Sequence, residues 1–315
     1  MYVEMSKDGD GVVGNPAKIV LSGVSGMLGT ALRGKLPVRG ASVVQLVRSA
    51  PRTEDQLAWD PGATPAIADT SALEGCTAAV HLSGANVAAH RWTTAYRHEM
   101  RTSRVDSTRA LAQTLAGLRR PPRTLVVASA VGIYGDRGEE VLDETSAFGT
   151  SFLADLCRQW EEAARPAAEA GIRVVHPRFG VVLGRGPGAL AKMLPVFRMG
   201  LGGRLGSGRQ WMSWISLEDT VAAILFALET PSLAGAVNVV SPNPVRNAEF
   251  TRALARHVHR PAVLPVPAFA LRLALGQMAD EALLASARVI PAKLLSAGFK
   301  FAYPTLDGAL AAALS

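Results

Sequence analysis

Short apolar runs alternate with amphipathic stretches along most of this sequence. The runs, each of a length typical of a buried strand, are residues 19–21, 43–47, 78–82, 125–128 and 173–176. Apolar residues recur at helical spacing from about residue 93 to 118 and again from about 152 to 170. This alternation predicts an α/β fold: a doubly wound parallel sheet with helices on both faces.

The pattern also divides the chain into parts. Residues 1–16 form a polar tail, and the alternating pattern occupies residues 17–260. Within it, residues 184–214 are rich in glycine, which predicts an insertion that forms a wall above the strand ends. Residues 261–315 return to helical patterns and predict a small C-terminal substrate or lid lobe.

The stretch 18–48 has the order strand, glycine turn, helix, strand. Its glycines follow the spacing Gly23-x-x-Gly26-x-x-Gly29, which in this context indicates a dinucleotide-binding βαβ unit and a Rossmann-like core. The phosphates would sit at the helix N-terminus, where free N–H groups and the helix dipole favour anions. A glycine-rich turn of another α/β protein is the alternative. The predicted contacts in this turn are Gly23, Ser25, Gly26, Met27, Leu28 and Gly29.

Arg48 ends the second strand of this unit. An acidic residue at that point would bind the ribose 2′-hydroxyl of NAD, whereas an arginine suits the 2′-phosphate of NADP. The sequence therefore favours NADP as cofactor over NAD.

Further cofactor contacts are expected where the other strands end, because the carboxyl ends of parallel strands face the ligand. Glu99 and Arg104 lie in the long predicted helix, where they either reach the nucleotide or pair on the helix surface. The expected residues at strand ends are Leu82, Ser83, Gly84, Ser129, Gly180 and Val181.

Bulk composition excludes several other classes. The net charge of +7 raises the possibility of nucleic-acid binding, but no basic block interleaved with aromatic residues and no zinc-ligand spacing is present. We therefore expect no nucleic-acid partner and no metal. No uninterrupted apolar segment is long enough for a membrane span, and the chain starts without the apolar part of a signal peptide. With only two cysteines, a cytoplasmic protein without a membrane partner is expected.

Several motifs together resemble the extended short-chain dehydrogenase/reductase family, and within it the atypical branch usually labelled "epimerase family protein". The matching stretches are GVSGMLG at 23–29, HLSGAN at 81–86, RTSRVDSTRAL at 101–111, SAVGIYGD at 129–136, PRFGVVLGRGPGALAKMLPVFRMGLGGRLGSGRQWMSWI at 177–215 and IPAKLLSAGFKFAYP at 290–304. This resemblance implies a Rossmann-like core, NADP binding, a C-terminal domain of unknown function and no settled reaction. A homodimer seam, common in related folds, would use the helices at 93–118 and 152–170.

Active members of the wider family use a Tyr-x-x-x-Lys pair with a serine or threonine, and here no tyrosine has a lysine four positions later. Alignment on Glu161 places Leu153 and Cys157 where the tyrosine and lysine would stand. The remaining candidates for proton handling are Ser129 and Tyr134, with the alternative that they only bind the cofactor or the loop. Mid-helical Cys157 is expected to be a buried structural thiol rather than a nucleophile.

The predicted substrate-binding segment also differs from the pattern of the family that the chain resembles. Nucleotide-sugar members have an arginine where this chain has Met212, which argues against an ordinary nucleotide-sugar substrate. Arg204 and Arg209 are candidate replacements, with solvated loop positions as the alternative. Trp211 and Trp214 are candidates to line the pocket, although at least one of the two is expected in the core. Two hypotheses stay open: an NADP-dependent atypical reductase or epimerase acting on an unidentified small molecule, and a non-catalytic NADP(H)-binding sensor or interaction protein.

Overall fold

A computed structural model describes residues 17–315, so the polar tail predicted at 1–16 lies outside the described residues. Its strands are β1 (Lys18–Ser22), β2 (Ser42–Val47), β3 (Gln56–Ala58), β4 (Ala78–His81), β5 (Thr124–Val127), β6 (Ser129–Ala130), β7 (Val141–Leu142), β8 (Arg173–Phe179), β9 (Val181–Leu183), β10 (Trp211–Met212), β11 (Trp214–Ser216), β12 (Gly235–Val239), β13 (Val245–Arg246) and β14 (Arg288–Val289). Its α-helices are α1 (Met27–Lys35), α2 (Thr94–Arg101), α3 (Ser107–Ala116), α4 (Phe152–Glu162), α5 (Arg165–Glu169), α6 (Ala189–Arg198), α7 (Leu217–Glu229), α8 (Asn247–His257), α9 (Ala268–Leu275), α10 (Ala292–Ser296) and α11 (Leu306–Leu314).

The main sheet has eight strands in the order β12-β8-β5-β4-β1-β2-β3, with β6 also paired to β8. Every pairing in it is parallel. This confirms the predicted doubly wound α/β fold. The strand order reverses between β1 and β4, and in such sheets ligands bind in the crevice outside the strand ends at this switch point.

Alternation along the strands builds a core on each face of the sheet. In β1, Ile19 and Leu21 belong to one buried cluster with Leu32 of α1, whereas Val20 belongs to a second cluster with Trp160 of α4. Successive side chains of a strand point to opposite faces, so a continuous apolar run serves both cores.

The helical stretches differ in part from the prediction. The stretch from α2 to α3 is one helical run, interrupted by a π-helical segment at Thr102–Asp106. The single helix predicted over 152–170 is wrong, because α4 ends at Glu162 and α5 starts separately. Pro166 occupies the first turn of α5, where its missing N–H costs nothing, and it cannot continue α4.

A third core lies at the C-terminal end of the molecule. It combines Trp214 of β11 with Phe250 and Leu254 of α8 and with Leu310 of α11. The helices before and after residue 261 therefore share one core. None of the helices within residues 17–315 combines the length and the apolarity that crossing a bilayer requires.

Candidate cofactor and catalytic site

In the glycine turn after β1, neighbouring backbone segments lie too close together to leave room for a side chain. Gly23 has φ of +73°, and a Cβ there would lie 2.7 Å from the carbonyl carbon of Leu82. A Cβ on Gly29 would lie 2.1 Å from the carbonyl oxygen of Gly23. The turn, the end of β4 and the start of α1 are therefore packed at distances that only glycine permits.

The start of α1 is an open anion site. Gly26 caps the helix without a side-chain hydrogen bond, and Ser25 and Gly26 are exposed. Within the described part of the chain, the backbone N–H groups of Met27 and Leu28 have no acceptor. Unpaired amides at a helix N-terminus, together with the helix dipole, provide a site for a pyrophosphate.

Arg48 directly follows β2 and is exposed. Its guanidinium makes no hydrogen bond or ion pair to any residue in 17–315, so it is free to bind an anionic ligand. β2 is the strand next to β1 in the sheet, on the same side of the glycine turn as the adenosine half of a dinucleotide in this fold.

The loop after β4 is held by Arg104 of the π-helical segment. Its Nη2 donates to the carbonyl of Ala85 at 2.8 Å, and a Cβ on Gly84 would lie 3.2 Å from its Cζ. The guanidinium also stacks on Trp160, with Cζ 5.0 Å from the ring centroid. Burial lowers the pKa of Arg104. The structure thus brings Arg104 against the predicted cofactor loop, whereas Glu99 is exposed on α2.

A buried chain of hydrogen bonds also holds the loop after β4 in place. His81 Nδ1 lies 2.6 Å from the hydroxyl oxygen of Ser22, and its Nε2 lies 3.1 Å from that of Ser107. Ser83 donates to Ser22 at 3.2 Å. The imidazole therefore links the residue before Gly23 to α3. Complete burial lowers the pKa of His81 to about 3, so the ring is neutral in the folded protein.

Because His81 is buried in its neutral form, we expect the free energy of unfolding to decrease at acidic pH. Between its unfolded pKa near 6.5 and its folded pKa of about 3, the unfolded chain binds a proton that the folded chain does not. Stability should therefore fall as the pH drops through this window, by roughly 2–3 kcal/mol from His81 between about pH 7 and about pH 4.5. Urea unfolding at the two pH values measures the loss.

The His81→Gln variant removes the titrating group, so its loss over the same window should be smaller by that amount. His98→Gln, at an exposed position of α2, is the matched control and should keep the wild-type loss. An equal loss in wild type and His81→Gln would contradict the assignment.

Ser129 belongs to a buried ionic network. Its hydroxyl donates to Glu161 Oε1 at 2.7 Å. Arg178 grips the same carboxylate with two donors, Nε to Oε1 and Nη2 to Oε2, each at 2.8 Å. The side chains of Arg178 and Glu161 are 3% and 13% exposed. The hydroxyl of Ser129 is thus oriented by a carboxylate that Arg178 holds in place.

Tyr134 completes this network and is fully buried. Its hydroxyl donates to Asn238 Oδ1 at 2.7 Å and accepts from Arg178 Nη1 at 2.9 Å. Burial raises the pKa of the phenol despite the neighbouring guanidinium. A protonated, fully engaged phenol is not a base at neutral pH. Both hydrogen-bonding functions of the Tyr134 hydroxyl are thus used within the buried network, where it supports Arg178.

The two positions that the alignment on Glu161 assigns to the family's tyrosine and lysine lie on α4. Leu153 contacts Gly132, and its backbone N–H donates to Glu281 Oε2 at 2.8 Å. Cys157 is buried, and desolvation raises the pKa of its thiol to about 12. This agrees with the expectation of a structural thiol. His176 of β8 is also buried, and its Nδ1 has no hydrogen-bond partner among the described residues.

Gly180 connects β8 to β9, and Val181 is the first residue of β9. The Gly180 N–H donates to Val239 and the Val181 N–H to Ser213, at 3.2 and 2.8 Å. Both residues are partly exposed at the carboxyl end of the central strands, on the same edge as Ser129. That they contact the cofactor stays a prediction, and their backbone amides already have acceptors.

Trp211 is partly exposed and lies between two partly exposed arginines. The guanidinium carbons of Arg246 and Arg288 lie 4.6 and 4.4 Å from its ring centroid. Its indole N–H donates to Glu139 at 2.8 Å, and Arg246 holds both oxygens of this carboxylate. Hydrogen bonds from Arg246 and Trp211 lower the pKa of Glu139, and the charge of exposed Arg209 adds to this.

Trp214 does not line a pocket, which corrects the expectation for this residue. It is fully buried in the third core, and its indole N–H donates to the carbonyl of Asn243 at 3.0 Å. Of the two tryptophans, Trp214 is the core residue. No group of His, Cys, Asp and Glu side chains that would suit a metal ion occurs within residues 17–315.

Sequence reasoning missed the charged partners of these sites. Arg178 and Glu161 were not expected to pair, and Glu139, Arg246 and Arg288 were not expected around Trp211. One signal was present: Arg178 closely follows a predicted buried strand, and a charged side chain that is buried there requires a partner.

The sheet order, the glycine turn and the open N-terminus of α1 define a dinucleotide-binding protein of the short-chain dehydrogenase/reductase type. The chain belongs to the NAD-dependent epimerase/dehydratase family, whose model matches residues 19–240. Residues 266–313 match a domain of unknown function, DUF1731. The resemblance found from the motifs is thereby confirmed.

Individual relatives agree with this assignment. The chain is 46% identical to an epimerase family protein of Mycobacterium tuberculosis over 294 residues, 93% of this chain and 96% of the relative. It is 37% identical to the epimerase family protein YfhF of Bacillus subtilis, covering 93% and 96% of the two chains. The solved human epimerase family protein SDR39U1, a complex with NADPH, has 34% identity and a TM-score of 0.87, covering 94% of this chain and 99% of that one.

Proposed function

We propose that this protein binds NADP(H) and acts as an atypical reductase or epimerase on a small molecule. The observation that carries the proposal is the pairing of an open helix N-terminus at Met27 and Leu28 with the unengaged Arg48 at the end of the adjacent strand. Amides would hold the pyrophosphate and the guanidinium a 2′-phosphate. The NADPH complex of the human relative supports the same cofactor.

Three residues at the carboxyl edge of the sheet, Ser129, Glu161 and Arg178, would have separate roles in the reaction. The cofactor, when bound, supplies a nicotinamide ring that accepts or gives a hydride. Ser129 would orient the substrate oxygen, and Glu161 would take the proton that Ser129 passes on. Arg178 keeps Glu161 in place. This arrangement replaces the missing tyrosine and lysine with a serine–carboxylate pair.

The substrate would occupy the space between Ser129 and the segment 204–214. Arg209 is exposed there, beside Trp211, and together they offer a positive charge and an aromatic face. Trp214 contributes only to the core behind this surface.

A non-catalytic NADP(H) sensor is the second candidate, and one observation favours it. The Tyr134 hydroxyl and the Ser129 proton are both committed to internal hydrogen bonds. A sensor predicts partner binding that differs between NADP+ and NADPH, together with no oxidation of NADPH across a panel of carbonyl compounds and sugars. NADPH oxidation that is lost in Ser129→Ala would instead favour the enzyme.

Removal of Arg48 tests the cofactor assignment. For Arg48→Ala, the Kd of NADPH should rise about 10- to 100-fold, because one charge-assisted hydrogen-bonding group of about 1.5–3 kcal/mol is lost. The Kd of NADH should change little, since NADH has no 2′-phosphate. Calorimetric titration with NADP+, NADPH, NAD+ and NADH measures all four.

Arg39→Ala is the matched control. Arg39 is also an exposed arginine, but it pairs with Glu229 away from the glycine turn. Its variant should bind NADPH as the wild type does. Equal binding of NADH and NADPH by the wild type would remove the argument from the 2′-phosphate, and no binding of any dinucleotide would overturn the proposed function.

A further inference from the structure

One surface of the molecule gathers most of its exposed large apolar side chains. Of the eleven that are exposed in residues 17–315, seven lie in the two segments 196–201 and 263–273. They are Val196, Met199, Leu201, Val263, Leu264, Phe269 and Leu273, which we name the apolar patch. Contiguous exposed apolar surface on a protein usually marks an interaction site.

The two segments lie side by side. Leu205 and Val266 form a β-bridge, and the Gly206 N–H donates to the carbonyl of Val266 at 2.8 Å. Arg260 Nε donates to the carbonyl of Arg198 at 3.2 Å. The segment that follows α6 and the loop that leads into α9 are therefore held next to each other.

Three side chains of the patch extend far into solvent. Phe269 and Leu273 stand one turn apart on α9 and are 72% and 77% exposed, and Val263 is 75% exposed. Protruding apolar side chains suit insertion into a soft apolar medium. A groove, by contrast, is the shape that receives a partner helix.

The rim of the patch is cationic. No aspartate or glutamate occurs between Glu169 and Glu218, or between Glu249 and Asp280. Arg198, Arg204 and Arg260 are exposed, and none of these three forms an ion pair in the described part of the chain. Arg272 of α9 pairs with Asp280.

We propose that the apolar patch binds the surface of an anionic phospholipid bilayer. Phe269, Leu273 and Val263 enter the boundary between headgroups and acyl chains, and the rim arginines contact the lipid phosphates. A second copy of this chain is a poor occupant, because a two-fold contact would bring the same unpaired arginines together. This association departs from the expectation of no membrane partner, requires no spanning helix and is independent of the proposed cofactor and reaction.

Co-sedimentation of the full chain with phosphatidylcholine vesicles, with and without phosphatidylglycerol, tests the proposal. We expect binding to vesicles that contain phosphatidylglycerol and its weakening by salt. Phe269→Ser/Leu273→Ser should weaken it about tenfold or more, because two buried apolar side chains are removed. Arg198→Gln/Arg260→Gln should weaken binding to the anionic vesicles and leave the weak binding to neutral vesicles unchanged.

Val38→Ser/Val141→Ser is the matched control, since these apolar side chains are 82% and 48% exposed but lie outside the patch. It should bind as the wild type does. The thermal midpoint of every variant confirms folding, because all substituted side chains are at least partly exposed. No sedimentation with anionic vesicles, equal binding by Phe269→Ser/Leu273→Ser, or a patch-dependent dimer without lipid binding would each overturn the proposal.

Discussion

Gly29→Ala is expected to abolish measurable NADP(H) binding. Its Cβ would lie 2.1 Å from the Gly23 carbonyl oxygen and 2.9 Å from Val24 Cα, and both of these are backbone atoms that cannot rotate away. The glycine turn and α1 must separate, which misplaces the free amides of Met27 and Leu28. Such overpacking costs about 3 kcal/mol or more, which is roughly a hundredfold or more in Kd. Calorimetric titration with NADPH measures the effect.

Gly34→Ala, in the same helix, is the control. A Cβ at Gly34 meets nothing within 4 Å, so alanine fits there. This variant should bind NADPH normally and be more stable by about 0.5–1 kcal/mol, since glycine is unfavourable inside a helix. Unchanged NADPH affinity in Gly29→Ala would show that the turn does not hold the cofactor.

Arg178→Met is expected to destabilise the protein by about 3–5 kcal/mol, because it leaves the Glu161 carboxylate buried without its partner. The arginine also donates to Tyr134, so a second polar group loses a hydrogen bond. The free energy of unfolding in urea measures the loss. Arg178→Met/Glu161→Gln should recover part of it, because a neutral amide still accepts from Ser129.

The exposed pair of Arg256 and Asp307 provides the comparison, since its side chains are 63% and 61% exposed. Arg256→Met should cost less than about 1 kcal/mol, because solvent screens a surface ion pair. Similar losses in Arg178→Met and Arg256→Met would contradict the account of a buried, structurally required charge pair.

The parts of the fold that were predictable are those encoded by local pattern. The apolar runs, the glycine spacing and Arg48 all lie within one βαβ unit, where neighbouring residues in sequence are neighbours in space. The parallel order then follows from the handedness and shortness of such connections. The predicted helix over 152–170 failed because the run of alanines around Pro166 keeps helical spacing across a break in the backbone.

The candidate site was only partly predictable, because its charged partners come from distant segments. Glu161 is on a helix and Arg178 on a strand, and only the packing of α4 beside β6 and β8 brings their charges together. The two tryptophans of the segment 204–214 show a second limit of prediction from local sequence. At least one of Trp211 and Trp214 was expected in the core, but the local sequence does not indicate which one.

The reactivity of the two buried cysteines measures how often the surrounding parts of the fold open. Cys76 lies in the core beneath one sheet face, and Cys157 lies in the cluster around Tyr134. Burial raises their pKa values to about 11 and about 12, so neither thiol reacts while it stays covered. An alkylating reagent can therefore modify each cysteine only during an opening event. The ratio of its rate on folded and unfolded chains gives a separate opening free energy for each of the two regions.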